Sequence, residues 1–147
     1  MKRLPWKYLA GLIDGEGCID VQITKGVYIR PRLRIAMTTP ARDILVLCQH
    51  SYGGHICTRT QSNPLWTDAI SWECSGYTQA CPVLRNVVNH LLLKKEQARF
   101  CLWMEQNLKG LHVSPEVRNA VREELKLMKR DPHRLSEQTQ EVILGML

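Results

Sequence analysis

The chain has 147 residues, 44% of them hydrophobic. That suffices for one domain with a buried core and excludes a disordered chain. The net charge of +6 leans toward a polyanionic partner, and the six-residue apolar run before Asp14 is too short for a signal peptide or a membrane span.

Pro5 suits the first turn of a helix. Residues 6–14 continue it, and Gly15 and Gly17 are expected to end it. Residues 18–24 then alternate, with Ile19, Val21 and Ile23 on one face and Asp20, Gln22 and Thr24 on the other. This is the period of a half-buried strand. Lys25-Gly26 marks a turn, and a second strand follows over 28–38. Its apolar face carries Ile29, Leu33, Ile35 and Met37, and its other face Tyr28, Arg30, Arg32 and Arg34. The pair reads as a hairpin. Residues 40–52 read as a helix with a Gly-Gly stop. Residues 55–60 and 66–74 form a second strand pair around Ser62-Asn63-Pro64, and 80–108 is one or two helices that change direction near Leu93-Lys94. A charged amphipathic helix over 114–130 and a last one N-capped by Ser136 close the chain. The order α-β-β-α-β-β-α plus further helices predicts an α+β domain. Its four-stranded antiparallel sheet has one helix-covered face and one open face.

The open face is the first candidate site. Arg30, Arg32 and Arg34 recur at period two and are not mixed with neutralising acids. Asp20, Gln22 and Thr24 lie beside them on the paired strand. His55, Cys57 and Arg59 extend the face on the third strand, and Thr67 and Ser71 on the fourth. Arginine and glutamine make bidentate contacts to base edges, and a two-stranded ribbon fits the major groove. The face reads as a DNA-reading surface as readily as an ordinary solvated one. Lys126, Lys129, Arg130, His133 and Arg134 form a basic cluster suited equally to phosphate contacts or to plain solvation. Trp6, Trp66, Trp72 and Trp103 are expected in the core. The six cysteines include no C-x-x-C pair and no His-x-x-x-His accompanies them, which argues against zinc. Apart from Cys57, they are expected to be buried thiols in an intracellular, reducing compartment. That compartment is cytoplasmic for a bacterial or phage protein, and organellar or nuclear otherwise.

The second candidate site is LAGLIDGEG, residues 9–17. Gly11 and Gly15 are four apart and share a helix face without side chains. One copy of the stretch exists, so its natural partner is the same helix of a second subunit. A two-fold axis would then bring two Glu16 carboxylates together, and a divalent cation with oxygen ligands relieves their repulsion.

These nine residues resemble the defining motif of the LAGLIDADG homing endonucleases. The element order resembles that family's αββαββα core over about residues 5–107, with a C-terminal helical extension over about 108–147. A single motif resembles the homodimeric members. The resemblance implies a site-specific endonuclease that makes staggered double-strand breaks in a long, pseudo-palindromic DNA target. It implies Mg²⁺ as cofactor, Mn²⁺ as a substitute, and Ca²⁺ as a cation that supports binding with little cutting. It also implies that the sheet is a DNA-binding saddle, that the gene can lie in an intron, and that no membrane is involved. By the same resemblance, Glu16 and the Gly15 carbonyl bind the metal. Gly11, Asp14 and Gly15 belong to the subunit interface. Lys94, or Lys95 by a one-residue slip, assists in the active-site pocket. The family commonly has a glutamine after the second strand to order water; this chain has Thr38 and Thr39, of which Thr39 is the expected replacement. Relatives that splice introns as maturases, or bind DNA without cutting it, give the alternative function.

Overall fold

A computed structural model describes residues 2–147. The helix α1 (Trp6–Glu16) starts where the Leu9 amide bonds the Pro5 carbonyl at 3.1 Å. It buries Leu9, Ala10 and Ile13 on one stripe. Gly15 lies inside the helix rather than at its end. The stop is Gly17, whose amide bonds the Ile13 carbonyl while its own backbone is already extended. The chain passes from helix to strand with no connecting loop. A Cβ on Gly17 would lie 2.7 Å from the Ile13 carbonyl oxygen, a backbone atom that cannot yield. Gly17→Ala is therefore expected to cost about 1–3 kcal/mol, as overpacking does, and a thermal melt checks it.

The strands are β1 (Gly17–Thr24), β2 (Tyr28–Thr38), β3 (His55–Arg59) and β4 (Ala69–Ser75). They pair antiparallel in the order β1-β2-β4-β3. The helices α2 (Arg42–Tyr52), α3 (Tyr77–Val87) and α4 (Lys95–Asn107) complete the α-β-β-α-β-β-α series, and α5 (Pro115–Arg130) and α6 (Glu137–Met146) follow. The stretch expected as one or two helices is two, parted at Leu91–Lys94 by an extended residue at Leu91. The architecture is the α+β arrangement expected. Among the described residues no helix is long and apolar enough to cross a membrane.

The core lies between the sheet and the helices. Trp72 is fully buried, and its indole N–H donates to the Gly53 carbonyl at 2.7 Å. Gly54, at φ +86°, lies so close to β4 that a Cβ would meet the Glu73 carbonyl oxygen at 2.5 Å. Cys48, Cys74, Cys81 and Cys101 are buried. Desolvation pushes the first three thiols up to about 12, so they remain protonated and behave as small hydrophobes. Trp66 departs from expectation. It is 60% exposed, in the loop before β4, because that strand begins three residues later than the sequence pattern suggests. Thr67 shares this loop and is exposed outside the sheet. Ser136 precedes α6 without capping it; its hydroxyl accepts instead from the Gln140 amide.

Candidate functional site

Two regions meet at the C-terminal end of α1. The first is built by Asp14. Its carboxylate accepts the backbone amides of Leu92 at 2.7 Å, Leu93 at 3.1 Å and Lys94 at 3.0 Å. These amides precede α4 and have no helical carbonyl to bond. The Lys94 ammonium in turn donates to the Asp14 carbonyl at 2.8 Å. Asp14 thus has a structural role within its own chain, where it locks the turn that carries Lys94. Lys94 rather than Lys95 is the lysine held against α1.

Glu16 is exposed at the last position of α1. It lines a shallow depression of about 480 Å³ with Ala36, Met37, Thr38 and Ala69. This corrects the choice of Thr39. Thr38 continues the open-face alternation of β2, whereas Thr39 turns away into a 3-10 turn, with its amide bonded to the Asp68 carbonyl at 3.0 Å. On the other flank, a cavity of about 330 Å³ is lined by Gly17, Cys18, Leu93, Lys94, Gln97, Lys129 and Pro132. The Gln97 side chain is buried there with its carbonyl oxygen unpartnered. Lys129 reaches this cavity from α5, its ammonium 3.6 Å from the Cys18 sulfur. Nothing in the sequence marks this position, because a polar residue inside a helix pattern reads as solvent-facing.

The second region is the open face. Arg30, Arg32 and Arg34 lie on it as the alternation predicts, but they are not free of acids. Asp20 stands directly across from Arg32, and Glu73 directly across from Arg34. Asp20 accepts Arg32 Nε at 2.9 Å and Nη2 at 2.6 Å. These hydrogen bonds from Arg32 hold its guanidinium more firmly charged than usual. Arg34 Nη1 lies 3.9 Å from Glu73. Both acids come from neighbouring strands, Asp20 from β1 and Glu73 from β4. Glu73 had a signal, since it shares the period-two face of β4 with Ser71. Arg30 lies against Gly76, its Nε buried without a partner, as is the side-chain oxygen of its cross-strand neighbour Gln22. Thr24 ends β1 opposite Tyr28, and Tyr28 shares a 2.9 Å hydrogen bond with His112. His55, Cys57 and Arg59 are exposed on β3, and a groove of about 370 Å³ runs between Arg34, Cys57, Arg59 and Ser71.

The basic cluster divides. Arg134 is paired with the buried Glu124 at 2.8 and 3.1 Å, where Thr139 also donates at 2.6 Å, and this ties α5 to α6. Lys126, Lys129, Arg130 and His133 remain exposed. On the exposed side of α1, Tyr8, Gly11 and Gly15 line up beside the half-buried Leu12. A Cβ on either glycine would meet nothing within 4 Å.

The fold is shared with solved homing endonucleases. I-CvuI, in complex with its target in the presence of Ca²⁺, matches with a TM-score of 0.64 at 22% identity, over 96% of this chain and 93% of that one. I-CvuI with the I-CreI target matches with a TM-score of 0.67 over the same shares. I-GzeII, in complex with a DNA target, matches with a TM-score of 0.58 at 19% identity, over 99% of this chain and 50% of that one. Among curated proteins there is no match. The model of the LAGLIDADG endonuclease family matches residues 9–107, about two thirds of the sequence, and the chain belongs to that family.

Proposed function

We propose that the protein is a site-specific DNA endonuclease that works as a homodimer and makes staggered breaks in a long, pseudo-palindromic duplex with Mg²⁺. The observation that carries this reading is the Asp14 lock. It holds the Lys94 ammonium against the last turn of α1, two residues from the exposed Glu16 and at the edge of the arginine-bearing face. A divalent cation fits here. The Glu16 carboxylate and the Gly15 carbonyl are hard oxygen donors, and the negative end of a helix dipole favours positive charge. Among the described residues no three His, Cys, Asp or Glu side chains cluster as a metal site. Glu16 and Gly15 are the residues of this chain that would hold the cation. When bound, the cation supplies Lewis-acid stabilisation of charge at the scissile phosphate and a more acidic water. Lys94 offsets negative charge on the phosphate, Thr38 faces the depression beside Glu16, and Lys129 and Arg130 hold the flanking backbone. Linearisation of a plasmid library in Mg²⁺, with the ends mapped, tests the reading. Staggered cuts at one recurrent site support it, and nicking without site preference overturns it.

The bare α1 stripe supports the dimer. Gly11→Ala adds a methyl that meets nothing in its own chain. It should stabilise an isolated helix by about 1 kcal/mol. In a helix-to-helix interface the same methyl holds the backbones apart, and the dimer dissociation constant is expected to rise about tenfold or more, equivalent to at least about 1.4 kcal/mol. Sedimentation of both proteins, with and without DNA, decides between these outcomes; a strictly monomeric wild type removes the two-site mechanism.

A further inference from the structure

We infer that Asp20 and Arg32 act as one base-reading unit that selects a guanine at a single position in each half of the DNA target. The inference rests on the DNA-reading role proposed for the open face.

A guanidinium has five N–H groups in a fixed plane. Asp20 takes two of them, from Nε and Nη2, along one side of the fork. The remaining three belong to Nη1 and the outer edge of Nη2. These two nitrogens form the end-on edge, whose parallel N–H bonds match O6 and N7 of guanine in the major groove. Holding the plane by its side thus leaves the reading edge complete. A free arginine side chain has many rotamers to lose, and fixing it before DNA arrives lowers the cost of ordering it on binding. Arg32 keeps 21% of its side-chain surface accessible on the open face, so the pairing with Asp20 does not bury it.

The neighbouring arginines lack this arrangement. Arg34 meets Glu73 through one nitrogen at 3.9 Å, beyond hydrogen-bond distance, and is 39% exposed. Arg30 has its Nε buried against the chain with no acceptor. Neither plane is fixed by a two-point contact. The pairing also accounts for an acid on a DNA-facing surface, where a lone carboxylate would repel phosphate. Asp20 serves as a positioning residue and need not touch DNA.

The test is selection of bound sites from a randomised duplex library in Ca²⁺, without cleavage, for the wild type, Arg32→Ala, Asp20→Asn and Arg34→Ala. The wild type is expected to show one position per half-site at which guanine dominates, by about tenfold or more given the worth of a bidentate contact. Arg32→Ala should level that position alone. Asp20→Asn keeps the size of the side chain, supplies one acceptor in place of two, and should weaken guanine preference at the same position severalfold, leaving the other positions and the melting temperature near wild type. Arg34→Ala should leave that position unchanged. Asp20→Asn with undiminished guanine preference at the Arg32 position, or an Arg32 position selecting another base, overturns the pairing while the endonuclease reading stands. A wild type that selects no site removes both.

Discussion

Glu16→Gln is expected to bind its DNA target as well as the wild type, or more tightly, and to leave it uncut. Glutamine keeps the size of the side chain and loses the charge needed to hold a hard cation. The Glu16 side chain makes no hydrogen bond or ion pair in its own chain among the described residues, and it is exposed at the end of α1, so changing it disturbs little packing. Removing a carboxylate beside phosphates relieves repulsion, which is why affinity should hold or rise. Cleavage is expected to fall by at least about a hundredfold, the scale of losing electrostatic stabilisation at a reacting centre. Gel shifts beside cleavage assays in Mg²⁺ and then Ca²⁺ make the comparison. Ca²⁺ should support binding with little cutting, because its irregular coordination places a nucleophile poorly. Full cleavage by Glu16→Gln would move the metal site elsewhere.

Asp14→Ala is the second large effect, and it should differ in kind. Three amides at Leu92, Leu93 and Lys94 lose their common acceptor. Hydrogen bonds to a charged group are worth about 1.5–3 kcal/mol each, less where water can replace the partner. Two of these amides are in exposed surroundings, so a total of about 2–4 kcal/mol is expected. For a chain of this length that lowers the melting temperature by roughly 5–15 °C. Cleavage should fall as well, because the turn that holds Lys94 against α1 is released. Asp14→Asn retains one acceptor oxygen and should lie between Ala and the wild type. Lys94→Met separates the roles: it should reduce cleavage with a much smaller change in melting temperature. An Asp14→Ala protein with an unchanged melt would show that the lock contributes nothing to stability.

The contrast between these two acids shows where local pattern stops. They sit two residues apart in one short motif, and the local spacing gives no reason to treat them differently. Asp14 points to a turn 78 to 80 residues further along the chain, and Glu16 points to solvent. That difference exists only once the turn at Leu92–Lys94 has packed against the end of α1.

Alternation and glycine chemistry are properties of the chain alone. The two periods of the β1–β2 hairpin, the stop at Gly17, the helix pair parted near Leu93 and the open arginine face follow from the spacing of residues within single elements, because side-chain direction repeats every two residues in a strand and every 3.6 in a helix. The motif at residues 9–17 likewise sufficed to identify the family. Charge balance on the face was decided by tertiary structure. Arg32 meets Asp20 through the register of β1 on β2, and Arg34 faces Glu73 only because β4 pairs beside β2 across a crossover. The choice of Thr38 over Thr39 depended on where β2 ends. The exposure of Trp66 depended on where β4 begins, and the loss of Arg134 to Glu124 on how α6 folds back onto α5. Each of these turns on how one element pairs or packs with another, which spacing within a single element does not determine.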